Sequence, residues 1–270
     1  MDPRLQRRVQ RYGWDRAADF YEASWAEQLR PAQECLLERA HARPGERVLD
    51  VACGTGLVTF ALARAVGPAG HVVGTDISEG MIDQATAAAE RTDVPVEFHR
   101  MDAEQLDFPE AHFDLAVSAL GLMYVPHPER AVAEMHRVLG PAGRMVAAVW
   151  GARRACGWAE IFPIVERRIA SEACPLFFSL GTGDTLADLF IATGLHDVEQ
   201  VRLTTELAYA SDDDAIGAAF RGGPVALAYS RFDDTVREDA HREYLDSIAP
   251  YRQDNGYAVP GEFVIVAGRR

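Results

Sequence analysis

The 270-residue chain reads as an α/β fold, a doubly wound and mostly parallel seven-stranded sheet with an antiparallel last strand and a helical lid insert. Three observations predict it. Between about residues 46 and 149, short β-branched apolar runs alternate with longer helical patterns, the mark of a parallel sheet wrapped by crossover helices. The run VLDVACGTGLVT passes from a buried-looking strand through a glycine turn into a helix. The last two apolar runs are separated by roughly 60 residues, where a plain hairpin needs only a few.

Taken in order, 1–44 forms an N-terminal helical cap. Within it Asp19–Ala40 carries apolar and aromatic residues at helical spacing, and Tyr21 and Trp25, four apart, share a face. The core, 45–204 and 261–270, supplies strands Arg47–Val51, His71–Thr75, Val96–Arg100, Phe113–Ser118 and Arg144–Val149. Helices Gly56–Val66, Glu79–Arg91 and Pro128–Leu139 fit between them, the last stopped by the turn Gly140-Pro141-Ala142-Gly143. Glu160–Ala173 is a helix candidate, His196–Leu203 a strand and Glu262–Gly268 the final strand. The intervening 205–260 includes Asp212–Asp214, an Arg221-Gly222-Gly223-Pro224 break and a helical Asp233–Ile248, and is read as a lid over a substrate.

Composition narrows the chemistry. The net charge of −14 and the scattered basic residues argue against a nucleic-acid backbone as partner. All 27 basic residues are arginine, so neither a Schiff-base lysine nor a phosphate-loop lysine is available. Cys35, Cys53, Cys156 and Cys174 are dispersed, the histidines show no metal-ligand spacing, and no run of about 20 uncharged apolar residues could span a bilayer. The expectations are a cytoplasmic protein with no metal, no membrane span and reduced thiols, with a homodimer left open.

The glycine turn poses the central question. A turn at a strand's C-terminal end presents backbone N–H groups to a ligand, but a dinucleotide fingerprint needs a third glycine where this chain has Thr59. Asp50 would repel a pyrophosphate there and favour an ammonium or sulfonium. Asp76 ends the second strand, where a carboxylate can accept both ribose hydroxyls, and Asp102 follows the third, within reach of an adenine amino group. Three acids at successive strand ends fit S-adenosylmethionine, which carries two cations and no phosphate.

Together VLDVACGTGLVT, GTDISEGMIDQA, MDAEQLDFPEAHFDLAVS and HPERAVAEMHRVLGPAGRM resemble the class I S-adenosylmethionine-dependent methyltransferases, the group that includes the ubiquinone/menaquinone C-methyltransferases. The resemblance covers about residues 45–150 and implies a Rossmann-like methyltransferase fold. It implies that Asp50, Ala52, Cys53, Gly54 and Gly56 surround the methionine part. Asp76, Ile77 and Met81 would hold the ribose and one adenine face, Asp102 and Ala103 the adenine edge, and Ser118 with Ala119 the far side. Tyr21 would close over the cofactor. Two departures stand out: His127 occupies a position where relatives often carry aspartate, and the turn GPAG has alanine where R/K-P-G-G is common.

Around that framework, His127 has two readings, a general base for the acceptor or a loop residue leading into a helix. Gly181-Thr182-Gly183-Asp184 lacks a preceding strand and reads as a turn, with Asp184 or Thr182 capping the next helix. Trp150, Trp158, Phe162, Phe177 and Phe178 follow the strand end nearest the methyl donor. Some of them should line an apolar pocket, and Trp158 and Tyr124 are the candidate substrate contacts. The expected function is methyl transfer by in-line displacement to a small apolar or aromatic acceptor. The alternatives are a protein acceptor or a non-catalytic S-adenosylmethionine-binding module.

Overall fold

The computed structural model describes residues 2–91, 95–169 and 177–270. Its first element is a single helix, α1 (Pro3–Ala40), opened by Asp2, whose carboxylate accepts the Arg4 N–H at 2.9 Å, with proline at its first position. The sequence predicted only its second half. Its buried face begins Gln6, Gln10, Gly13, Ala17 before Trp25, Leu29, Ala32 and Leu36, so helical spacing is kept throughout while apolar side chains appear only late.

The predicted alternation then follows as β1 (Arg47–Val51), α2 (Leu57–Val66), β2 (His71–Asp76), α3 (Glu79–Ala89), β3 (Val96–Arg100), β4 (Phe113–Ala119), α4 (Pro128–Val138) and β5 (Leu139–Trp150). Val48, Leu49, Val51, Leu115 and Val117 are buried, as expected of strands covered on both faces. The Gly140–Gly143 segment, expected as a free turn, belongs to β5. Phe113 pairs with Leu139 but Leu115 with Arg144, so residues 140–143 bulge from the ladder, with Ala142 at φ 64°.

After α5 (Ile161–Glu166) and α6 (Thr185–Ala192) come β6 (His196–Tyr209), α7 (Asp212–Ile216), α8 (Ala226–Tyr229), α9 (Asp234–Ile248), β7 (Arg252–Gln253) and β8 (Gly256–Arg269). The helix expected over Glu160–Ala173 ends at Glu166. Residues 170–173, and Cys174, lie outside the described residues. Asp184 stands at the start of α6, but its carboxylate accepts from Gln200 at 2.7 Å rather than capping the helix.

The sheet runs β3-β2-β1-β4-β5-β8-β6, parallel from β3 to β5, with β8 antiparallel to both its neighbours. These are the seven expected strands; an eighth, the two-residue β7, hairpins onto β8. Strand pairing between β6 and β8 continues to Tyr209 and Tyr257, so residues 205–209 and 256–260, expected within the lid, are sheet. Pro260 is tolerated because β5 ends opposite Phe263, leaving β8 with only one neighbour at that point.

Arg144 ties the base of the sheet to the end of α1. It is 9% exposed, donates to Glu46 at 2.9 and 2.7 Å, and reaches the carbonyls of Ala40 and His41. Among the described residues, no helix is long and apolar enough to cross a membrane.

Candidate active site

In an open α/β sheet, ligands sit outside the carboxyl ends of the strands where the order reverses. Here that point lies between β1 and β4, and a cavity of about 970 Å³, its mouth included, opens there. Its far wall is α1, which contributes Arg7, Gln10, Trp14, Tyr21, Trp25 and Leu29.

The turn after β1 is held from within. The N–H groups of Cys53, Gly54 and Gly56 donate to Thr75 O, Asp76 Oδ2 and Cys53 O at 2.9, 2.9 and 3.1 Å. Those amides are committed to the protein, which leaves the turn poor in the free donors that a pyrophosphate needs. Gly56, at φ 92°, is required twice over: a Cβ there would lie 2.9 Å from Phe60 and 3.0 Å from Phe98.

Backbone strain gathers at the same rim. Ala52 and Leu120, at the ends of β1 and β4, adopt φ 57° and 65°, and a Cβ on Gly121 would collide with that of Ala52. Non-glycine residues in this region persist where the surroundings over-determine them, typically at ligand sites.

Asp50 is fully buried behind this turn. Its Oδ2 accepts from Thr59 Oγ1 at 2.7 Å and its Oδ1 has no hydrogen-bond partner among the described residues. Thr59, the residue that breaks the dinucleotide fingerprint, thus serves the acid. Burial raises the Asp50 carboxyl to about 7, against the Thr59 bond and with added repulsion from Asp76. Asp76 rises to about 6, again from burial, although it accepts from Ser78 and Gly54 N–H. Two carboxylates kept out of water in this way favour a cationic, hydroxyl-bearing ligand, and S-adenosylmethionine fits that donor set.

Of the expected cofactor contacts, Tyr21, Ala52, Gly54, Asp76, Ile77, Met81, Asp102, Ala103 and Ala119 line the cavity. Asp50, Cys53, Gly56 and Ser118 do not; they stand behind it. Tyr21 lies over the glycine turn, 3.8 Å from where a Gly54 Cβ would be, and its hydroxyl is pushed up by burial. Asp102 is paired with Arg7 at 2.8 Å.

Beyond the cofactor half, Trp25, Trp150 and Trp158 meet edge to face, with centroids 4.8 to 6.2 Å apart. Trp150, Trp158 and Tyr124 line the cavity; Phe162, Phe177 and Phe178 instead pack behind Trp158. Gly223 and Pro224, from the insert, close this end. His127 is not among the residues that line the cavity, and its ring faces Glu129 at 3.2 Å at the start of α4. Sequence reading also missed Arg7, Gln10, Trp14, Gly121 and the Gly223-Pro224 contact, none of which sits in a motif. Among the described residues, no three His, Cys, Asp or Glu side chains are grouped to hold a metal ion.

Comparison with known proteins agrees with this geometry. The family described as a methyltransferase domain matches residues 48–143. A ubiquinone/menaquinone biosynthesis C-methyltransferase from Bordetella avium is 33% identical over 183 residues, 63% of this chain and 72% of that protein. Its counterpart from Burkholderia mallei is 42% identical over 110 residues, 41% of this chain and 45% of that one. Among solved structures, the YcgJ protein of Bacillus subtilis superposes with TM-score 0.62 at 18% identity, covering 89% of this chain and 98% of that one. Phosphoethanolamine N-methyltransferase 2 of Haemonchus contortus, solved with S-adenosylhomocysteine, gives 0.62 at 16% identity over 95% and 57%; these last two likenesses speak to fold. With the cavity, its acids and the relatives in agreement, the chain belongs to the class I S-adenosylmethionine-dependent methyltransferases, of the ubiquinone/menaquinone C-methyltransferase type.

Proposed function

We propose that the chain transfers a methyl group to a small, largely apolar or aromatic acceptor held in the indole-lined half of the cavity. The carrying observation is the wall there: Trp25, Leu29, Met123, Trp150, Trp158 and Pro224 offer apolar area, capped by the insert. Such a wall recognises its ligand by burial, with few polar anchors. The Bordetella avium relative's place in ubiquinone/menaquinone biosynthesis supports a quinone-like ring.

Bound S-adenosylmethionine supplies an electrophilic sulfonium methyl. Toward it, Asp50 would stabilise the ammonium's charge from behind the turn, Asp76 would accept from the ribose hydroxyls, Ile77 and Met81 would cover one adenine face, and Asp102 with Ala103 would border the adenine edge. Tyr21 closes over the methionine part, while Cys53, Gly56 and Ser118 shape the turn from behind. Alignment and exclusion of water carry the rate, without a histidine base.

The test is to incubate the protein and S-adenosylmethionine with phenols, quinols and, for contrast, basic peptides, and to measure S-adenosylhomocysteine and methylated product by mass spectrometry. Turnover should be confined to the small aromatic set. Trp158→Ala should lower kcat/KM for the active acceptor by about tenfold or more, with cofactor affinity within about twofold of wild type. Methylation of the peptides alone would overturn the proposal.

A further inference from the structure

The first turns of α1 carry a cation that no motif announces. Arg7 lies on the cavity wall, its Nε 2.8 Å from Asp102 Oδ2, and its Nη2 engages Glu104. Each acid is also held from its other side: Asp102 Oδ1 accepts the Glu104 N–H at 3.0 Å, and Glu104 Oε1 accepts the His127 N–H at 3.1 Å.

The two carboxylates differ in their need for the guanidinium. Glu104, with its side chain 3% exposed, is a buried acid whose charge is matched by the guanidinium beside it. Asp102 is 30% exposed and lines the cavity, so it could remain solvated without Arg7. A pair with a partly exposed acid adds little to stability. Arg7 Nε has no hydrogen-bond partner among the described residues, so its hold on Asp102 Oδ2 is that of a close ion pair, which together with the Glu104 N–H on Oδ1 sets the carboxylate's orientation. An ionised carboxylate has about four acceptor positions, and the Glu104 N–H bond with the ion pair to Arg7 leaves capacity for a ligand donor.

We infer that Arg7 is a positioning residue that sets nucleobase specificity: by pinning Asp102, it keeps a pre-aimed acceptor for an exocyclic amino group and so favours adenine over a base with oxygen at that place. This rests on the reading of Asp102 as the adenine-edge residue. A site built to receive an N–H donor rejects an analogue lacking it, because its own polar group is left unpaired. Holding the acceptor in one rotamer removes an ordering cost on binding worth on the order of tenfold in affinity.

The experiment is calorimetric titration of S-adenosylhomocysteine and of S-inosylhomocysteine, its hypoxanthine counterpart, into wild type, Asp102→Ala and Arg7→Ala/Glu104→Gln. The double variant removes the buried carboxylate's charge together with its cation. Wild type should prefer the adenine compound by about tenfold or more. The double variant should lose most of that preference by weakening the adenine compound while the hypoxanthine compound changes less than about threefold. Equal weakening of both would mean a purely structural Arg7 and overturn the inference. Preference abolished by Asp102→Ala but intact in the double variant would overturn it while sparing the Asp102 reading; no preference in wild type would end both. Arg7→Lys, which keeps a cation beside Glu104 without the fork, carries the same comparison should the double variant not fold.

Discussion

Cofactor affinity should depend steeply on pH below neutrality, because the free site holds protons that the occupied site must release. Burial lifts Asp50 to about 7 and Asp76 to about 6. At pH 6 the first carboxyl is then roughly nine-tenths protonated and the second about half. An ammonium beside Asp50 and hydroxyls beside Asp76 favour the ionised forms, so binding at pH 6 expels roughly 1.4 protons. The apparent Kd is raised by about (1 + 10)(1 + 1), or roughly 20-fold, at pH 6 and by only about 1.4-fold at pH 7.5. The cofactor's own α-amino group, with a pKa near about 7.7–8.0, gives back roughly 1.5-fold at the higher pH. The net expectation is a Kd about tenfold lower at pH 7.5 than at pH 6. Calorimetry in two buffers of different ionisation enthalpy reads both affinity and proton count. Asp50→Asn should bind more weakly at all pH and retain only the roughly twofold share of Asp76. A Kd flat within twofold and no proton release would refute the assignment of these acids to the cofactor.

The same shifts act on the ligand-free fold with a definite sign. Both folded-state values lie above the unfolded one, so this stability is complete below about pH 4 and is lost as pH rises through 6 and 7. For Asp50 the loss is on the order of 4 kcal/mol, and scanning calorimetry should show saturating S-adenosylmethionine raising the melting temperature most at the high-pH end. Arg144→Met leaves Glu46 half-buried without its partner and should cost about 3–5 kcal/mol, a fall on the order of 10 °C in thermal unfolding, with the site's chemistry intact. His127→Ala should leave kcat within about twofold; a fall on the order of 100-fold would restore the histidine as a base.

What could be read in the chain beforehand was what local pattern encodes. The β-branched runs, the glycine turn and Asp76 announce themselves within a few residues, and the parallel half of the sheet followed from them. The first half of α1 escaped because its buried positions are Gln6, Gln10 and Gly13, whose burial is set by partners more than 60 residues away, such as Tyr124, whose carbonyl accepts from Gln6 at 3.4 Å. Strand β6 was cut short at Leu203 because an edge strand with one face in solvent needs no apolar run, and β8 was cut at Glu262 because Pro260 and Gly261 read as breakers. Asp50 was legible as an acid near the turn, but its protonation near neutrality depends on burial, which sequence does not display. Arg7 was one of many arginines until the fold set it beside Asp102.

The extension of β6 and β8 past the end of β5 has a bearing on how such a chain can diversify. With Tyr209 paired to Tyr257, the two ends of the intervening segment are clamped side by side by the ladder itself. The entropy of bringing those ends together is settled by the stem, and lengthening the segment adds only slowly to the cost. A graft between these two tyrosines therefore inherits a fixed foundation, provided that it keeps the packing of Pro224 and Leu227 against Gly13 of α1. Swapping that cassette is a route to new acceptors that leaves the cofactor chemistry in place.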